Sequence, residues 1–341
     1  MPLVIMAAVL ISLLLILHEL GHFIMARAGG IGIVEFGVGF GPEVIQHKVG
    51  QTNYVLRAIP FGAYVRPVGM DPNEPAPGKS SYFSKTVGQR ALFVLGGPAV
   101  NIALAVVLFS VALAVFGGLK PTLTVAQVLP GYPAEKAGVK PGDVLVSVDQ
   151  TQLRDWNELT SYVRARPHKA LGLTVRRGDR LIHFNLAVGV DQASGSGVIG
   201  VSPEFVRISF GLPAALKEGI RQSWSVISAL IRGLLLMIAR KVKPDLIGPV
   251  GIGQIVVEAT RAGAESLIYT IGAISMSLGF TNLLPIPGLD GSRLLFLAVE
   301  WIMGRPIDPK KENAVHLVGL IGLLFLGAII FVRDIQRLGM R

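Results

Sequence analysis

Cysteine is absent from this chain of 341 residues, which excludes disulfide bonds and any zinc site built from thiolates. Charged residues are scarce, at 16%, and no basic segment is rich in aromatic side chains, so the net charge of +10 does not indicate a nucleic-acid partner. A basic excess is ordinary in membrane proteins, whose cytoplasmic loops carry Lys and Arg. The chain is instead rich in hydrophobic residues, 51% of the total, and its mean hydropathy is +0.57.

Apolar runs long enough to cross a bilayer occur at residues 3–26, 91–116, 220–239, 267–289 and 315–332. They predict a polytopic α-helical protein of the lipid bilayer. No basic residue precedes the first run and Arg27 follows it, which favours an uncleaved anchor with its N-terminus outside. In the run at 220–239, polar residues recur every three or four positions, which is typical of an amphipathic surface helix, although hydropathy alone also allows a span.

The chain between these runs changes character twice. Residues 31–66 are rich in glycine with alternating apolar residues, which predicts a β-hairpin or small sheet beside the first helix, the alternative being a plain connecting loop. Residues 70–81 are rich in proline, glycine and serine and predict a linker. From Pro121 to about Val190, alternation predicts strands at 122–129, 143–149, 171–177 and 181–188, with helices at 134–137 and 156–163.

The most informative motif is His18-Glu19-Leu20-Gly21-His22, at the end of the first apolar run. On a helix the two histidines lie on one face, one turn apart. They can then bind one zinc ion, and Glu19 can act on a zinc-bound water. The ordinary alternative is a pair of histidines satisfied in a helix core, but the chain has only six histidines to form this pattern by chance. Ionisable residues within a membrane helix cost about 2.5–3.5 kcal/mol on insertion scales and are functional candidates by default.

A catalytic zinc ion needs a third protein ligand and an open position for water. Two prolines and two glycines break the run that begins at 267 close to Asp290, and irregular backbone at membrane depth is tolerated where it lines a site. Asp290 is therefore the leading third ligand, and a helix-terminal Asp at the membrane surface is the alternative. Asp290 lies on the same side of the membrane as His18 and His22 only if residues 220–239 lie on the membrane surface and do not span it. The chain then has four transmembrane helices.

Four motifs carry a family resemblance. They are HELGH at 18–22, GPAVN at 97–101, a segment at 132–145 that resembles a bacterial PDZ domain, and NLLPIPGLDG at 282–291. In this order they resemble the site-2 protease family of intramembrane zinc metalloproteases, in particular its bacterial regulator of sigma-E protease branch, and the likeness covers essentially the whole chain. The resemblance implies Zn2+ as cofactor, with His18, His22 and Asp290 as ligands. It also implies Glu19 as catalytic base, with Asn282 binding substrate or stabilising the oxyanion.

The resemblance also implies substrate-binding residues. Gly39, Phe40 and Gly41 resemble part of the family's membrane-associated β-hairpin, which pairs with an extended substrate segment, and Asn101 matches the family's GPxxN signature. Two features depart from the pattern. Better-known enterobacterial members carry two PDZ domains where this chain has one, and Ser292 stands where many members have glycine.

The predicted architecture has four parts: an N-terminal membrane domain at 1–118, a PDZ domain at 119–190, a connector with the surface helix at 191–265, and a C-terminal membrane domain at 266–341. We expect hydrolysis of a peptide bond within a single-span membrane protein, of the anti-sigma factor type already cut outside. The resemblance places the enzyme in a bacterial inner membrane, with the PDZ domain on the extracytoplasmic side. That domain either binds a peptide or substrate ectodomain or filters substrates by size. A non-proteolytic PDZ-bearing scaffold and a zinc transporter are the alternatives, and neither needs Glu19.

Overall fold

The computed structural model describes residues 2–70, 78–191, 195–240 and 247–339. The chain forms two compact units, one of residues 1–115 and 211–341 and the other of residues 116–210. The predicted linker at 70–81 falls mostly on residues 71–77, which lie outside the described residues.

The helices of the first unit carry the metal-binding motifs. They are α1 (Pro2–Ala28), α2 (Val87–Phe116), α5 (Leu212–Ile238), α6 (Pro249–Ala262), α7 (Ala264–Asn282), α8 (Asp290–Met303) and α9 (Pro309–Gly339). Three helices in the described part of the chain are long and apolar enough to cross a membrane, at Leu3–Ala28, Val87–Phe116 and Pro309–Arg337. They confirm three of the predicted spans. The predicted span at 267–289 is not among them; in its place α7 has 19 residues and ends at Asn282, where the chain turns.

Two glycines bring α2 onto the histidine-bearing face of α1. A Cβ atom added at Gly21 would lie 2.3 Å from the carbonyl oxygen of Gly96, and one added at Gly96 would lie 2.4 Å from that of Gly21. Between helices in lipid, apolar burial supplies little driving force, so close packing at small residues is the main source of attraction. The glycine pair therefore fixes which part of α2 faces the histidines.

Helix α7 runs along α2 in the opposite direction. An added Cβ at Gly272 would meet the ring of Phe109, whereas one at Gly279 would meet Pro98. The hydroxyl of Ser275 donates to the backbone carbonyl of Asn101 at 2.8 Å. These contacts place the C-terminal end of α7 beside the GPAVN motif of α2.

A tight turn joins α7 to α8 and rests on α9. Gly288 adopts a φ of +96°, which favours glycine, and an added Cβ at Gly319 would lie 2.2 Å from the backbone carbonyl of Pro287. Ion pairs hold α8 beyond the turn. Arg293 of α8 lies 3.2 Å from Glu312 of α9, which is 3% exposed.

A second ion pair ties α8 to α2. Arg90 of α2 is 4% exposed and pairs with Glu300 near the far end of α8. Burying charges costs free energy unless they are paired, so both pairs restrict where α8 can sit. They position the helix that begins with Asp290.

The predicted hairpin is a folded sheet of two long strands, β1 (Ile33–Val49) and β2 (Thr52–Pro67). Residues 35–38 of β1 pair with 63–66 of β2 on one side and with 53–56 on the other, while 45–49 pair with 52–56. Both strands therefore bend, at Gly39 and Gly41 in β1 and at Gly62 in β2, all with positive φ. The last segment of β2 is left with one strand neighbour. The hydroxyl of Tyr64 in this segment donates to Glu35.

Helix α5 contains the amphipathic run predicted at 220–239. It packs through Gly219, where an added Cβ would lie 2.3 Å from the Ser110 hydroxyl of α2. Trp224, Leu235 and Ile238 are 65%, 58% and 71% exposed. One face of α5 therefore packs on the helix bundle, and the other presents large apolar side chains.

The second unit is a small sheet with two helices. Its strands are β3 (Gly118–Val128), β4 (Val144–Val148), β5 (Thr151–Gln152), β6 (Ala170–Arg177), β7 (Arg180–Ala187), β8 (Gly189–Val190), β9 (Gly197–Val198) and β10 (Val201–Ile208), and its helices are α3 (Pro133–Ala137) and α4 (Trp156–Arg164). The main sheet has the order β10-β3-β4-β6-β7, with β5 beside β4. The four predicted strands and both helices are present. Strand β10 was not predicted, and its pairing with β3 extends the unit beyond residue 190.

A buried carboxylate fastens the turn before β4. Asp143 is fully buried, accepts 2.7 and 2.9 Å hydrogen bonds from Arg177, and accepts another from the Lys140 amide at 2.9 Å. Burial by itself would raise the pKa of Asp143, but the hydrogen bonds from Arg177 and Lys140 outweigh it and hold the pKa below its usual range.

Candidate metal centre

Three side chains from two distant parts of the chain meet at one point. Nε2 of His18 lies 3.2 Å from Nε2 of His22, and Oδ2 of Asp290 lies 3.2 and 3.3 Å from these two nitrogens. Both histidines are buried, at 6% and 5% exposed, and the Asp290 side chain is 22% exposed. The structure thus brings the three predicted ligands together, with the carboxylate on the more open side.

The spacing of these atoms fits a zinc ion. Tetrahedral zinc bonds of about 2.0 Å place ligand atoms about 3.3 Å apart. The three separations in the structure are 3.2 to 3.3 Å. One face of the triangle of donor atoms can accept the ion, and a fourth position remains for water.

The remaining ring nitrogens have the partners that a metal site needs. Nδ1 of His22 donates to the carbonyl oxygen of Phe93 at 2.9 Å, which leaves the Nε2 lone pair free for a metal. Nδ1 of His18 lies 3.2 Å from the side-chain amide of Asn101, whose Oδ1 is buried without a partner in the described residues. A 180° flip of the Asn101 side-chain amide lets its Oδ1 accept the His18 Nδ1–H. The flip satisfies Oδ1 and Nδ1–H and leaves the Nε2 lone pair of His18 directed at the site.

Gly97 forms the floor of the site. A Cβ atom added there would lie 2.4 Å from Nε2 of His22 and 2.6 Å from Nε2 of His18. Any larger residue at this position would occupy the space of the donor atoms themselves. The GPAVN motif therefore contributes to the site through Gly97 and Asn101.

The predicted base lies beside both the histidines and the sheet. Glu19 is half-buried, and its carboxylate is within reach of the backbone amide of Val65 in β2. That amide belongs to the segment of β2 that has a single strand neighbour. A carboxylate here can exchange protons with a group held between the metal centre and the sheet.

The structure places the other predicted site residues in three different environments. Asn282 is half-buried at the end of α7, just before the turn that leads to Asp290. Asn101 was grouped with the substrate-binding residues, but it is fully buried and contacts His18 instead. Gly39, Phe40 and Gly41 line a cavity of about 430 Å³ within the folded sheet, together with Arg57 and Tyr64.

A larger cavity, of about 670 Å³, opens onto Asp290. Val65, Arg66 and Pro67 of β2 form one wall, and His316, Leu317 and Leu320 of α9 are among the residues of the other. Reasoning from the sequence missed these wall residues, because neither strand nor helix carries a recognisable motif there. For the floor of the site there was one local signal in the sequence, the glycine at position 97 that opens the GPAVN motif.

Two histidines four residues apart on a helix, a glutamate between them and a carboxylate from elsewhere form the site of a metalloprotease with three protein ligands. The chain belongs to peptidase family M50, the site-2 protease family, whose description matches residues 6–326. Zinc metalloprotease RasP of Oceanobacillus iheyensis is 27% identical over 422 residues, covering 98% of each chain. Regulator of sigma-W protease RasP of Bacillus subtilis is 27% identical over 410 residues, covering 97% of each. Zn2+ is accordingly the expected cofactor.

Solved structures match a smaller part of the chain. The PDZ domain of an SdrC-like protein from Listeria monocytogenes covers 25% of this chain and 86% of its own, at 17% identity and a TM-score of 0.22. A likeness at that level carries no weight for the fold of the inserted unit.

Proposed function

We propose that this metalloprotease cuts a peptide bond within a transmembrane segment of a membrane protein. His18, His22 and Asp290 hold Zn2+ and Glu19 is the base. The observation that carries the proposal is the triangle of donor atoms, 3.2–3.3 Å apart, formed on a helix long and apolar enough to cross a membrane. A scaffold would need neither this donor set nor the glutamate beside it.

The residues around the centre divide the chemistry between them. His18, His22 and Asp290 would hold Zn2+, which would supply a Lewis acid to polarise the scissile carbonyl and acidify water. Glu19 takes the proton of the attacking water and passes it to the leaving amine. Asn282 donates a hydrogen bond to the developing oxyanion. Asn101 and the Phe93 carbonyl hold the histidine rings in the tautomer that binds the metal.

The folded sheet presents the substrate. A helical substrate hides its amides in internal hydrogen bonds, so it must unwind before it is cut, and the last segment of β2 offers an open edge beside Glu19 and Asp290. The bend at Gly39, Phe40 and Gly41 lies at membrane depth, because an added Cβ at the facing Gly62 would be 3.9 Å from Leu15 of α1. These bend residues bind the unwound substrate segment at a point more distant from the metal centre.

The membrane arrangement has four spanning helices, α1, α2, α7 and α9, with α5 on the outer surface of a bacterial inner membrane. The antiparallel packing of α7 on α2 supports the fourth span. Since the chain has no cysteine, single cysteines report topology without background. Cysteines at Lys136 and Ala262 should react with an impermeant reagent from outside, and one at Arg305 only from inside. Labelling at 262 from the inside alone would contradict the surface placement of α5.

The substrate is a single-span protein of the anti-sigma factor type, and the inserted unit meets its ectodomain. Support comes from β10, which is an edge strand of the inserted sheet and can accept a peptide as an added strand. The relative from Bacillus subtilis is named as a regulator of sigma-W protease.

The test compares two glutamate variants on a membrane-spanning substrate in a purified system. Glu19→Gln should retain zinc and lose about 10²–10⁴-fold in kcat, since it removes the base and keeps the ligands. Glu258→Gln changes an exposed glutamate of α6 and should cleave like the wild type. Equal cleavage by Glu19→Gln and the wild type would exclude this mechanism, and a chain without cleavage but with a bound partner would favour the scaffold.

A further inference from the structure

His316 of α9 is a buried histidine in the wall of the cavity that opens onto Asp290. The residue is 8% exposed, and its Nε2 atom has no hydrogen-bond partner. Four buried side-chain atoms in the described residues lack a partner, and Nε2 of His316 is the one that belongs to a residue lining this cavity. A buried polar atom without a partner costs free energy, so one beside a reaction site calls for a ligand.

The neighbouring serine determines which ring nitrogen of His316 carries the proton. The hydroxyl of Ser292 donates to the carbonyl oxygen of Leu289 at 2.8 Å, which uses its single proton. The contact of 3.4 Å between that hydroxyl and Nδ1 of His316 must therefore have the histidine as donor. With the proton on Nδ1, the Nε2 atom of the neutral ring is an acceptor, and its ligand must offer an N–H or O–H.

The opposite wall shows what that ligand is. It is formed by residues 65–67 of β2, the segment with a single strand neighbour. A peptide added to this edge would pair with backbone carbonyls of β2, since Pro67 has no N–H and the Val65 amide lies at Glu19. The other amides of the peptide would point away from the sheet, toward α9. Within a membrane such amides find no water and must be paired by the protein.

A hydrogen bond between α9 and the chain just after β2 limits where an added strand can lie. The side-chain amide of Asn313, one turn before His316, donates to the backbone carbonyl of Met70 at 3.0 Å. Leu317 and Leu320, further along the same wall, offer no polar atom. Among the described residues of α9 that line this cavity, His316 is thus the one with a buried acceptor atom that has no partner.

We propose that Nε2 of His316 accepts a hydrogen bond from a backbone N–H of the substrate, held extended between residues 65–67 and α9. This inference rests on the proposed function, because it assumes that a peptide occupies the cavity during cleavage. His316 is then a substrate-binding residue that recognises the backbone of the substrate and not one of its side chains. It helps to keep the unwound segment open at a position beside the metal centre.

The experiment measures the energetic coupling between His316 and one backbone N–H of the substrate, by changing each alone and both together as in a double-mutant cycle. The probe is a synthetic single-span peptide that the wild type cleaves in detergent, with a series in which one amide at a time, outside the scissile bond, is replaced by an ester that lacks the N–H. At one position the ester should lower kcat/KM of the wild type about tenfold, the usual effect of one hydrogen bond. His316→Leu should lower kcat/KM for the all-amide peptide similarly, and the same ester should cause no further loss in that variant.

A conservative variant separates binding from a structural role. His316→Gln places a carbonyl oxygen close to the position of Nε2 and should recover most of the activity, with zinc content unchanged in all variants. Multiplying effects of ester and His316→Leu, or the absence of any ester position whose effect is lost in His316→Leu, would overturn the inference. If His316→Leu does not fold, His316→Phe, which also lacks an acceptor and keeps a planar ring, replaces it in the same comparison. Failure of the wild type to cleave any peptide would overturn the proposed function and this inference with it.

Discussion

Gly97→Ala tests the metal centre without changing a ligand. The new methyl carbon would lie 2.4 Å from Nε2 of His22 and 2.6 Å from Nε2 of His18, about 1 Å inside ordinary contact. Because the methyl is fixed to the backbone of α2, the histidine rings must move. Zinc sites tolerate errors of about 0.2 Å in ligand distance, so a displacement several times larger should break the triangle.

We expect Gly97→Ala to lower zinc affinity at least a hundredfold, about 2.7 kcal/mol, and to abolish cleavage. Overpacking should also lower the free energy of unfolding by about 1–3 kcal/mol. The assay is zinc content of the purified protein by mass spectrometry after dialysis. Gly322→Ala is the matched control, since this glycine of α9 has nothing within 4 Å of an added Cβ. Equal zinc content in the two variants would refute the placement of Gly97 beneath the donor atoms.

Three further predictions concern the elements that support the site and the inserted unit. Asp143→Asn should lower the free energy of unfolding of the inserted unit by about 2–3 kcal/mol at pH 7. Because the pKa of Asp143 is lowered on folding, the difference is present above about pH 4 and disappears as the pH falls through the folded pKa, which urea titration followed by Trp156 fluorescence would show. Arg90→Met leaves Glu300 buried without its partner and should cost about 3–5 kcal/mol in thermal unfolding, most of it recovered by adding Glu300→Leu. Gly319→Ala should push the turn before Asp290 off α9 and lower zinc content, whereas unchanged zinc would show that the turn is not held there.

How far the sequence predicts this protein depends on the range of the interactions involved. The histidine pair could be predicted because their four-residue spacing on a helix is a local property. Asp290 could be proposed only through a topological condition, and the structure meets the geometric part of it with donor atoms 3.2–3.3 Å apart. Its partnership with residues about 270 positions away depends on the packing of α7, α8 and α9.

The sheet shows a similar limit. The alternation at residues 31–66 indicated a hairpin, but the pairing of one segment with two others follows from bends at glycines with positive φ. A sequence pattern of period two identifies a strand and says nothing of where it folds back. The contact between Asn101 and His18 likewise depends on the packing of α2 against α1 and not on a local pattern.

By itself, the sequence determined the class of the protein: a membrane enzyme without cysteine, with a zinc-binding helix and an inserted unit of short strands. These properties follow from composition, local periodicity and motif spacing. Tertiary structure decided which carboxylate joins the histidines, that Gly97 leaves room for the donor atoms, and that an open strand edge faces His316 across the site. Each of these depends on contacts between residues far apart in the chain, and such contacts follow from how the helices pack, which no local pattern of residues specifies.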